Sequence, residues 1–274
     1  MAGLDGKVAI VTGGARGIGA GIARCLARDG ASVAILDLDG EAAAGTAESL
    51  GNGSMGLACD VAVEDEVRQA FAAVVAKYGG LDIVANNAGA GRGPIDLSAA
   101  PPRAGGGRVE DMAPESWDEQ LSQNLKTTYL GTKWALPHLK ARGGGSIVNI
   151  ASIAGISASP TLPAYAAAKA GVISLTRSTA LEHAPANIRA NAILPGFLWT
   201  RAWEGMATGM KMMMPQFADR EPRDIFLEIV KNGVPLQREQ TPDDIGNLAA
   251  FLCGEGAQNI TGQAISVDGG ITLR

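Results

Sequence analysis

The sequence predicts a doubly wound α/β fold built on one parallel sheet, and three observations support this. Short β-branched apolar runs alternate with longer amphipathic stretches along the chain. The runs VAIV, VAIL and DIVAN are apolar without alternation, which is typical of strands covered by helices on both faces. The 274 residues, 46% of them hydrophobic, are enough to bury a stable core in one unit. We therefore expect a single domain over residues 1–274.

The individual elements follow from this alternation. In the first half, the predicted strands are residues 7–12, 32–38, 53–59 and 81–86, and the predicted helices are residues 17–30, 41–50 and 64–78. The second half continues with a helix at 116–140, a strand at 146–152, a helix at 164–183 and strands at 188–194 and 264–267. Thr241 is a predicted N-cap followed by Pro242 at the first helical position, which opens a helix that ends near Cys253.

Two segments break the alternation. Residues 91–108 are rich in glycine and proline and longer than ordinary connections, so we expect a surface loop near the ligand. Residues 200–232 carry an apolar set that suits a substrate lid and equally suits a packed helix pair or a subunit contact. That set consists of Met206, Met210, Met212, Met213, Met214, Trp203 and Phe217.

Composition narrows the classes of partner. A net charge of -5 without a Lys/Arg cluster argues against nucleic acid or a membrane surface, which leaves a small molecule as the expected partner. The start of the chain lacks a signal peptide and no apolar run reaches membrane-spanning length, so we expect a cytoplasmic protein. Cys25, Cys59 and Cys253 are scattered, which predicts free thiols. His138 and His183 are expected on helix surfaces, and no residue spacing indicates a metal site.

A glycine-rich turn directly follows the first predicted strand and opens the first helix. Its sequence is TGGARGIG, with Gly13, Gly17, Ile18 and Gly19 after the strand. Glycines let backbone N–H groups approach a pyrophosphate, and the helix N-terminus adds a favourable dipole. Asp37 ends the second strand, where its carboxylate can accept hydrogen bonds from an adenosine ribose. The pattern predicts a dinucleotide site.

A second set of residues predicts acid–base chemistry. Tyr165 and Lys169 are four residues apart in a predicted helix and therefore share one face. A phenol becomes a useful base at pH 7 when positive charge stabilises its phenolate, and Lys169 with an oxidised nicotinamide would provide that charge. Ser152, at the carboxyl end of a predicted strand, would hydrogen-bond the reacting oxygen. The set predicts hydride exchange between a nicotinamide and a secondary alcohol or ketone.

Together these motifs resemble those of the short-chain dehydrogenase/reductase family. The glycine turn has the spacing GxxxGxG rather than GxGxxG, and five further family features follow it in order along nearly the whole chain. They are Asp60-Val61, Asn86-Asn87-Ala88-Gly89, Asn124, Ser152 with Tyr165 and Lys169, and Pro195-Gly196 leading to Thr200.

The resemblance implies a Rossmann-like fold and roles for single residues. It implies that Asp60 and Val61 flank the adenine, that Asn87 and Gly89 line the floor under the adenosine, and that Asn124 fixes a water beside Lys169. Pro195 and Gly196 would lie on the nicotinamide side, with Leu198 and Thr200 holding the carboxamide. The three-residue gap between Tyr165 and Lys169 favours carbonyl chemistry over C=C reduction. Members of the family are usually tetramers, so a homotetramer is expected.

The sequence also indicates the cofactor and the substrate class, and it leaves alternative functions open. Asp37 favours NAD because a carboxylate there repels a 2′-phosphate, and it outweighs Arg16, which occurs in both NADP-preferring and NAD-dependent relatives of this kind. Residues such as Ile153, Ile156 and Trp199 favour a hydrophobic or cyclic substrate, whereas nearby basic residues keep a carboxylate or thioester open. The alternatives are an NADPH-dependent 3-oxoacyl-thioester reductase, a non-catalytic nucleotide-binding regulator and a structural subunit.

Overall fold

The computed structural model describes residues 3–89 and 108–273, and within them seven parallel strands form one sheet. Their order across the sheet is β3-β2-β1-β4-β5-β6-β7. The predicted doubly wound fold is confirmed. The strands are β1 (Val8–Thr12), β2 (Ser32–Asp37), β3 (Met55–Ala58), β4 (Ile83–Asn86), β5 (Gly145–Ile150), β6 (Ile188–Pro195) and β7 (Ala264–Val267).

Helices cover both faces of this sheet. They are α1 (Gly17–Arg28), α2 (Gly40–Leu50), α3 (Glu64–Tyr78), α4 (Pro114–Leu121), α5 (Thr127–Ala141), α6 (Pro163–His183), α7 (Arg201–Met213), α8 (Pro222–Gly233) and α9 (Pro242–Cys253). The helix predicted at 116–140 is α4 and α5, which are joined by one π-helical turn (Ser122–Lys126). Such turns shift side chains out of the ordinary 3.6-residue register.

The strand order places a crevice at one edge of the sheet. The chain runs outward from β1 to β2 and β3, then returns to the other side of β1 as β4. Because successive connections leave β1 in opposite directions, the carboxyl ends of β1 and β4 border a gap where ligands bind in open parallel sheets. The glycine turn follows β1 directly.

Two apolar clusters hold the helices onto the sheet. One joins α1, α2 and α9 to one face and includes the fully buried Ile22, Leu26 and Ile245. The other joins α3 and α5 to the opposite face and includes Phe71 and Leu139. Burial of each such side chain contributes about 1.5–3 kcal/mol, which makes these clusters the main support of the fold.

Helices α1 and α9 approach each other through glycines. A Cβ on Gly21 would lie 2.5 Å from the carbonyl oxygen of Pro242, and one on Gly246 would lie 2.5 Å from that of Gly21. The predicted start of α9 is confirmed, because Thr241 and Asp244 form a capping box in which each side chain accepts the other's backbone N–H.

Outside the site, three results bear on the sequence-based expectations. His183 is buried, not on a helix surface as expected, because it lies on the same face of α6 as the buried Thr176 and Ala180. The predicted loop at 91–108 lies outside the described residues, apart from Arg108. Among the described helices, none is both long enough and apolar enough to cross a bilayer.

Candidate active site

The glycine turn after β1 is a tightly closed cradle. Gly13 and Gly17 have φ angles of 60° and 55°, a left-handed conformation that glycine adopts without strain. A Cβ on Gly19 would lie 2.1 Å from the carbonyl oxygen of Gly13, whereas a Cβ on Gly17 would meet nothing within 4 Å. The turn is therefore packed against its own backbone on one side and open at Gly17.

Hydrogen bonds tie this turn to the end of β4. The side-chain Nδ2 of Asn87 donates to the carbonyl oxygens of Thr12 and Gly13, both at 3.0 Å. The hydroxyl of Thr12 accepts the backbone N–H groups of Asn87 and Ala88 at 3.0 and 3.1 Å. The predicted residue Asn87 thus holds the two sides of the crevice together, and Thr12, which the motif analysis did not assign, completes that link.

A cleft of about 210 Å³ opens beside the turn. Six predicted cofactor residues line it: Gly13, Asp37, Asp60, Val61, Asn87 and Gly89. The cleft wall also contains residues that sequence reasoning did not select: Leu36, Leu38, Cys59, Ala62, Ala88, Gln123 and Thr127. Burial raises the pKa of the Cys59 thiol to about 12, so this thiol stays protonated at neutral pH.

The far end of the cleft is acidic. The two carboxylate oxygens of Asp37 accept backbone N–H groups from Ala15 at 3.1 Å and from Asp39 at 3.2 Å. Each oxygen keeps a free lone pair, so the side chain can still accept a hydrogen bond from a hydroxyl group. Arg16, in the glycine turn, forms an ion pair with Asp39 at 2.5 Å.

The predicted catalytic residues converge at the carboxyl end of β5 and the start of α6. Ser152 lies two residues after β5, Tyr165 lies in the first turn of α6, and Lys169 lies one turn later. The hydroxyl of Ser152 lies close enough to Tyr165 to lower the pKa of the phenol. The Lys169 Nζ lies 5.6 Å from the centre of the Tyr165 ring and donates to the carbonyl oxygen of Ile150 at 3.0 Å.

Burial shifts the pKa values of both members of this pair. Burial lowers the pKa of Lys169 from 10.5 to about 8. Burial also raises the pKa of Tyr165, and the hydrogen bond from Ser152 opposes that rise only in part. The Lys169 ammonium group is held by the Ile150 carbonyl oxygen. Ionising the phenol therefore requires further positive charge in the site.

Asn124 lies in the π-helical turn, next to this pair. Its amide nitrogen donates to the backbone and side-chain oxygens of Gln120 at 3.1 and 3.2 Å. Its Oδ1 is buried without a hydrogen-bond partner among the described residues. A Cβ on Gly89 would lie 2.9 Å from this oxygen and 3.3 Å from the Lys169 Nζ. An orphaned buried acceptor beside an ammonium group is suited to a bound water.

The segment after β6 forms a separate wall. Pro195 ends β6, and the backbone N–H of Gly196 donates to the Val267 carbonyl at 2.9 Å. Leu198 is buried, and Thr200 caps α7 by accepting the N–H of Trp203 at 3.4 Å. These residues are not part of the cleft lining, and neither are Arg16, Ile18 and the catalytic group. The predicted site residues therefore fall into two sets, those that line the cleft and those that lie outside it.

The cradle and the catalytic group fit a dinucleotide. Side chains are excluded at Gly13 and Gly19, where the backbone must be approached closely, and the turn is open at Gly17. The unpartnered Oδ1 of Asn124 adds a polar group for a ligand or water.

Comparison with known proteins agrees with this geometry. A family model described as enoyl-(acyl carrier protein) reductase, one of the models of the short-chain dehydrogenases/reductases, matches residues 13–272. The chain belongs to the short-chain dehydrogenase/reductase family. It is accordingly an NAD(P)-dependent oxidoreductase that acts on CH–OH groups.

Its relatives within the short-chain dehydrogenases/reductases cover nearly the whole chain. A 4-formylbenzenesulfonate dehydrogenase of Comamonas testosteroni is 37% identical over 97% of this chain and 98% of its own. A D-beta-hydroxybutyrate dehydrogenase of Cupriavidus necator is 36% identical with the same coverage. A 3-oxoacyl-[acyl-carrier-protein] reductase of Chlamydia muridarum is 37% identical over 98% of both chains. A crystal structure from Sinorhizobium meliloti, assigned to the short-chain alcohol dehydrogenases, is 33% identical with a TM-score of 0.81 over 98% of both chains.

The aromatic residues around α7 and α8 of this family member pack on one another. Trp203 contacts Phe197 and Phe226 with ring centres 4.8 and 5.1 Å apart, and Trp199 contacts Phe226 at 5.2 Å. Phe226 belongs to α8 and is fully buried. Helices α7 and α8 thus form a packed pair, one of the three alternatives that the sequence left open, and the lid and the subunit contact remain predictions.

Proposed function

We propose that the protein is an NAD-dependent dehydrogenase that interconverts a hydrophobic or cyclic secondary alcohol and its ketone. The observation that carries this proposal is the position of Asp37, whose carboxylate lines the end of the cleft where β2 finishes. Two backbone N–H groups hold the carboxylate in place. A fixed negative charge there accepts ribose hydroxyls and repels a 2′-phosphate, which carries close to two negative charges.

The catalytic residues can move one proton and stabilise one oxygen. When bound, the oxidised nicotinamide ring supplies the hydride acceptor and positive charge beside Tyr165. The Tyr165 phenolate takes the proton of the substrate hydroxyl, and Ser152 donates a hydrogen bond to the same oxygen as it becomes a carbonyl. Lys169 and the water-binding position at Asn124 then pass the proton from Tyr165 towards solvent.

The substrate class rests on the side chains around this group. Ile153 is buried directly after Ser152, and Ile156 is 54% exposed at the mouth of the same connection. The aromatic cluster of α7 and α8 follows the wall at 195–200. Ile156, Trp199 and Trp203 keep part of their apolar surface exposed, and such surface gains free energy from a hydrocarbon or ring, at about 25 cal/mol for each Å² removed from water.

A second candidate is an NADPH-dependent 3-oxoacyl-thioester reductase. The observations in its favour are Arg16 in the glycine turn and the 37% identity to a reductase of that name in Chlamydia muridarum. Asp37 argues against it, because that carboxylate disfavours NADPH.

We also propose that the protein works as a cytoplasmic homotetramer. Large apolar side chains stand exposed on the helices α4, α5 and α6, among them Trp117, Tyr129 and Leu181. Apolar groups at such exposed positions favour contact with another copy of the chain. Light scattering at several concentrations tests the tetramer, and a monomer at all of them would contradict it.

The cofactor and reaction are tested together by a spectrophotometric screen at alkaline pH. Aliphatic, cyclic, aromatic and steroid secondary alcohols are offered with NAD and with NADP, and we expect reduction of NAD at the higher kcat/KM. The matched variant is Asp37→Asn, which removes the charge with little change in shape and should lose most of the discrimination. A wild-type preference for NADP of tenfold would overturn the NAD assignment, and no turnover with any alcohol would favour the non-catalytic regulator.

A further inference from the structure

Asp39 occupies an anchored position next to the cofactor turn. It is the N-cap of α2, and one carboxylate oxygen accepts the backbone N–H of Ala42 at 3.0 Å. The other oxygen accepts from the guanidinium group of Arg16 at 2.5 Å. The helix cap therefore determines where this carboxylate stands, independently of the ion pair.

Arg16 is the cation that would matter most for a phosphorylated ribose. It is the N-cap of α1 within the glycine turn, and it directly follows Ala15, whose backbone N–H donates to Asp37. A guanidinium group binds phosphate with two parallel hydrogen bonds, and arginine is favoured wherever such recognition is needed. In this chain the group is instead directed at Asp39.

We infer that Asp39 is a second specificity-determining residue, which holds Arg16 and cancels its charge so that the ribose end of the cleft rejects a 2′-phosphate. This inference rests on the proposed NAD preference, because it explains how the chain keeps an arginine in the turn and still excludes NADP. Asp37 acts on the ligand directly, whereas Asp39 acts through Arg16.

The exposure of the ion pair explains why the anchor is necessary. The side chains of Arg16 and Asp39 are 54% and 42% exposed, and ion pairs of this kind contribute little by themselves. A carboxylate without such a cap could be displaced from Arg16 by a phosphate dianion. A carboxylate held by a helix cap remains in place, so a phosphate that recruits Arg16 must still lie beside two negative side chains.

Binding of half-cofactors tests the inference without any turnover. Adenosine 2′,5′-bisphosphate carries the 2′-phosphate and 5′-AMP lacks it, so the ratio of their dissociation constants by calorimetry measures discrimination at this end of the cleft. The variant is Asp39→Asn, which preserves an N-cap acceptor for Ala42 and removes the charge. We expect the ratio to shift about tenfold or more towards the bisphosphate, as for one charge-assisted hydrogen bond.

A double-mutant cycle separates the two ways in which Asp39 can act. In an Arg16→Met background, Asp39→Asn should shift the ratio by at most about threefold, because only its own charge is then removed. Arg201, whose charge also lowers the pKa of Asp39, provides the matched control, and the full shift should persist in Arg201→Met.

Two results would overturn the inference: no shift in Asp39→Asn, or an equal shift with and without Arg16. Failure of the proposed function is a separate result. It appears in the wild-type chain as tighter binding of NADP than of NAD, whatever the cycle shows.

Discussion

The closed cradle predicts a large effect for one added methyl group. In Gly19→Ala, the new Cβ would lie 2.1 Å from the Gly13 carbonyl oxygen, whereas ordinary contact begins at 3.4 Å. One of the two must move by about 1.3 Å, and the group that the Cβ meets is the backbone of the turn that leads into α1. Overpacking of this kind costs about 1–3 kcal/mol, which corresponds to a fall in Tm of about 2–4 °C for each kcal/mol in a chain of this size.

The displacement should weaken cofactor binding as well as stability. The moved groups are those that approach the pyrophosphate, so we expect the Kd for NAD to rise at least about tenfold, measured by calorimetry beside thermal unfolding. The matched control is Gly45→Ala on the exposed side of α2, where a Cβ meets nothing within 4 Å. It should leave Kd unchanged and raise stability by about 0.5–1 kcal/mol. Wild-type affinity in Gly19→Ala would refute this account of the turn.

Three further predictions concern single side chains. Tyr165→Phe should retain NAD binding and lower turnover by about 10²–10⁴, and near-normal kcat would contradict its role as acid and base. Burial lowers the pKa of Lys169 from 10.5 to about 8. Between these two pH values the unfolded chain binds a proton that the folded chain has lost, so this group makes the free energy of unfolding rise with pH. Urea denaturation at pH 7.5 and 9.5 should show that rise diminished in Lys169→Met; equal pH dependence in both proteins would show that the pKa is not lowered. Thr241→Ala should cost about 1 kcal/mol, because the N–H of Asp244 loses its cap, and an unchanged urea midpoint would count against the cap.

Local sequence patterns were sufficient for most of the fold. Apolar runs and helix caps depend on neighbouring residues, so the strand and helix order and the N-cap at Thr241 could be read directly. The π-helical turn at Asn124 could not, because no residue type marks such a turn. His183 was misplaced for a similar reason, since burial of one helix end depends on what packs below it.

Some features of the candidate site could be predicted from local sequence, and others could not. Six cofactor residues could be placed in the cleft because each follows the carboxyl end of a strand, where ligands meet a parallel sheet. The partner of Arg16 was not foreseeable, because Asp39 is 23 residues away and the pair depends on where two helices begin. The rise in the pKa of Tyr165 was likewise not foreseeable, because it depends on how deeply the start of α6 is buried.

The glycine contact between α1 and α9 makes the first part of the chain dependent on the last. Helix α1 carries the cofactor turn at its start, yet Gly21 packs against Pro242, more than two hundred residues later. A fragment that stops before α9 would leave the face of α1 that carries Gly21 and Cys25 without its partner. During synthesis, therefore, the nucleotide-binding half stays incomplete until the ribosome has made α9, and this half is not a module that can be transplanted alone.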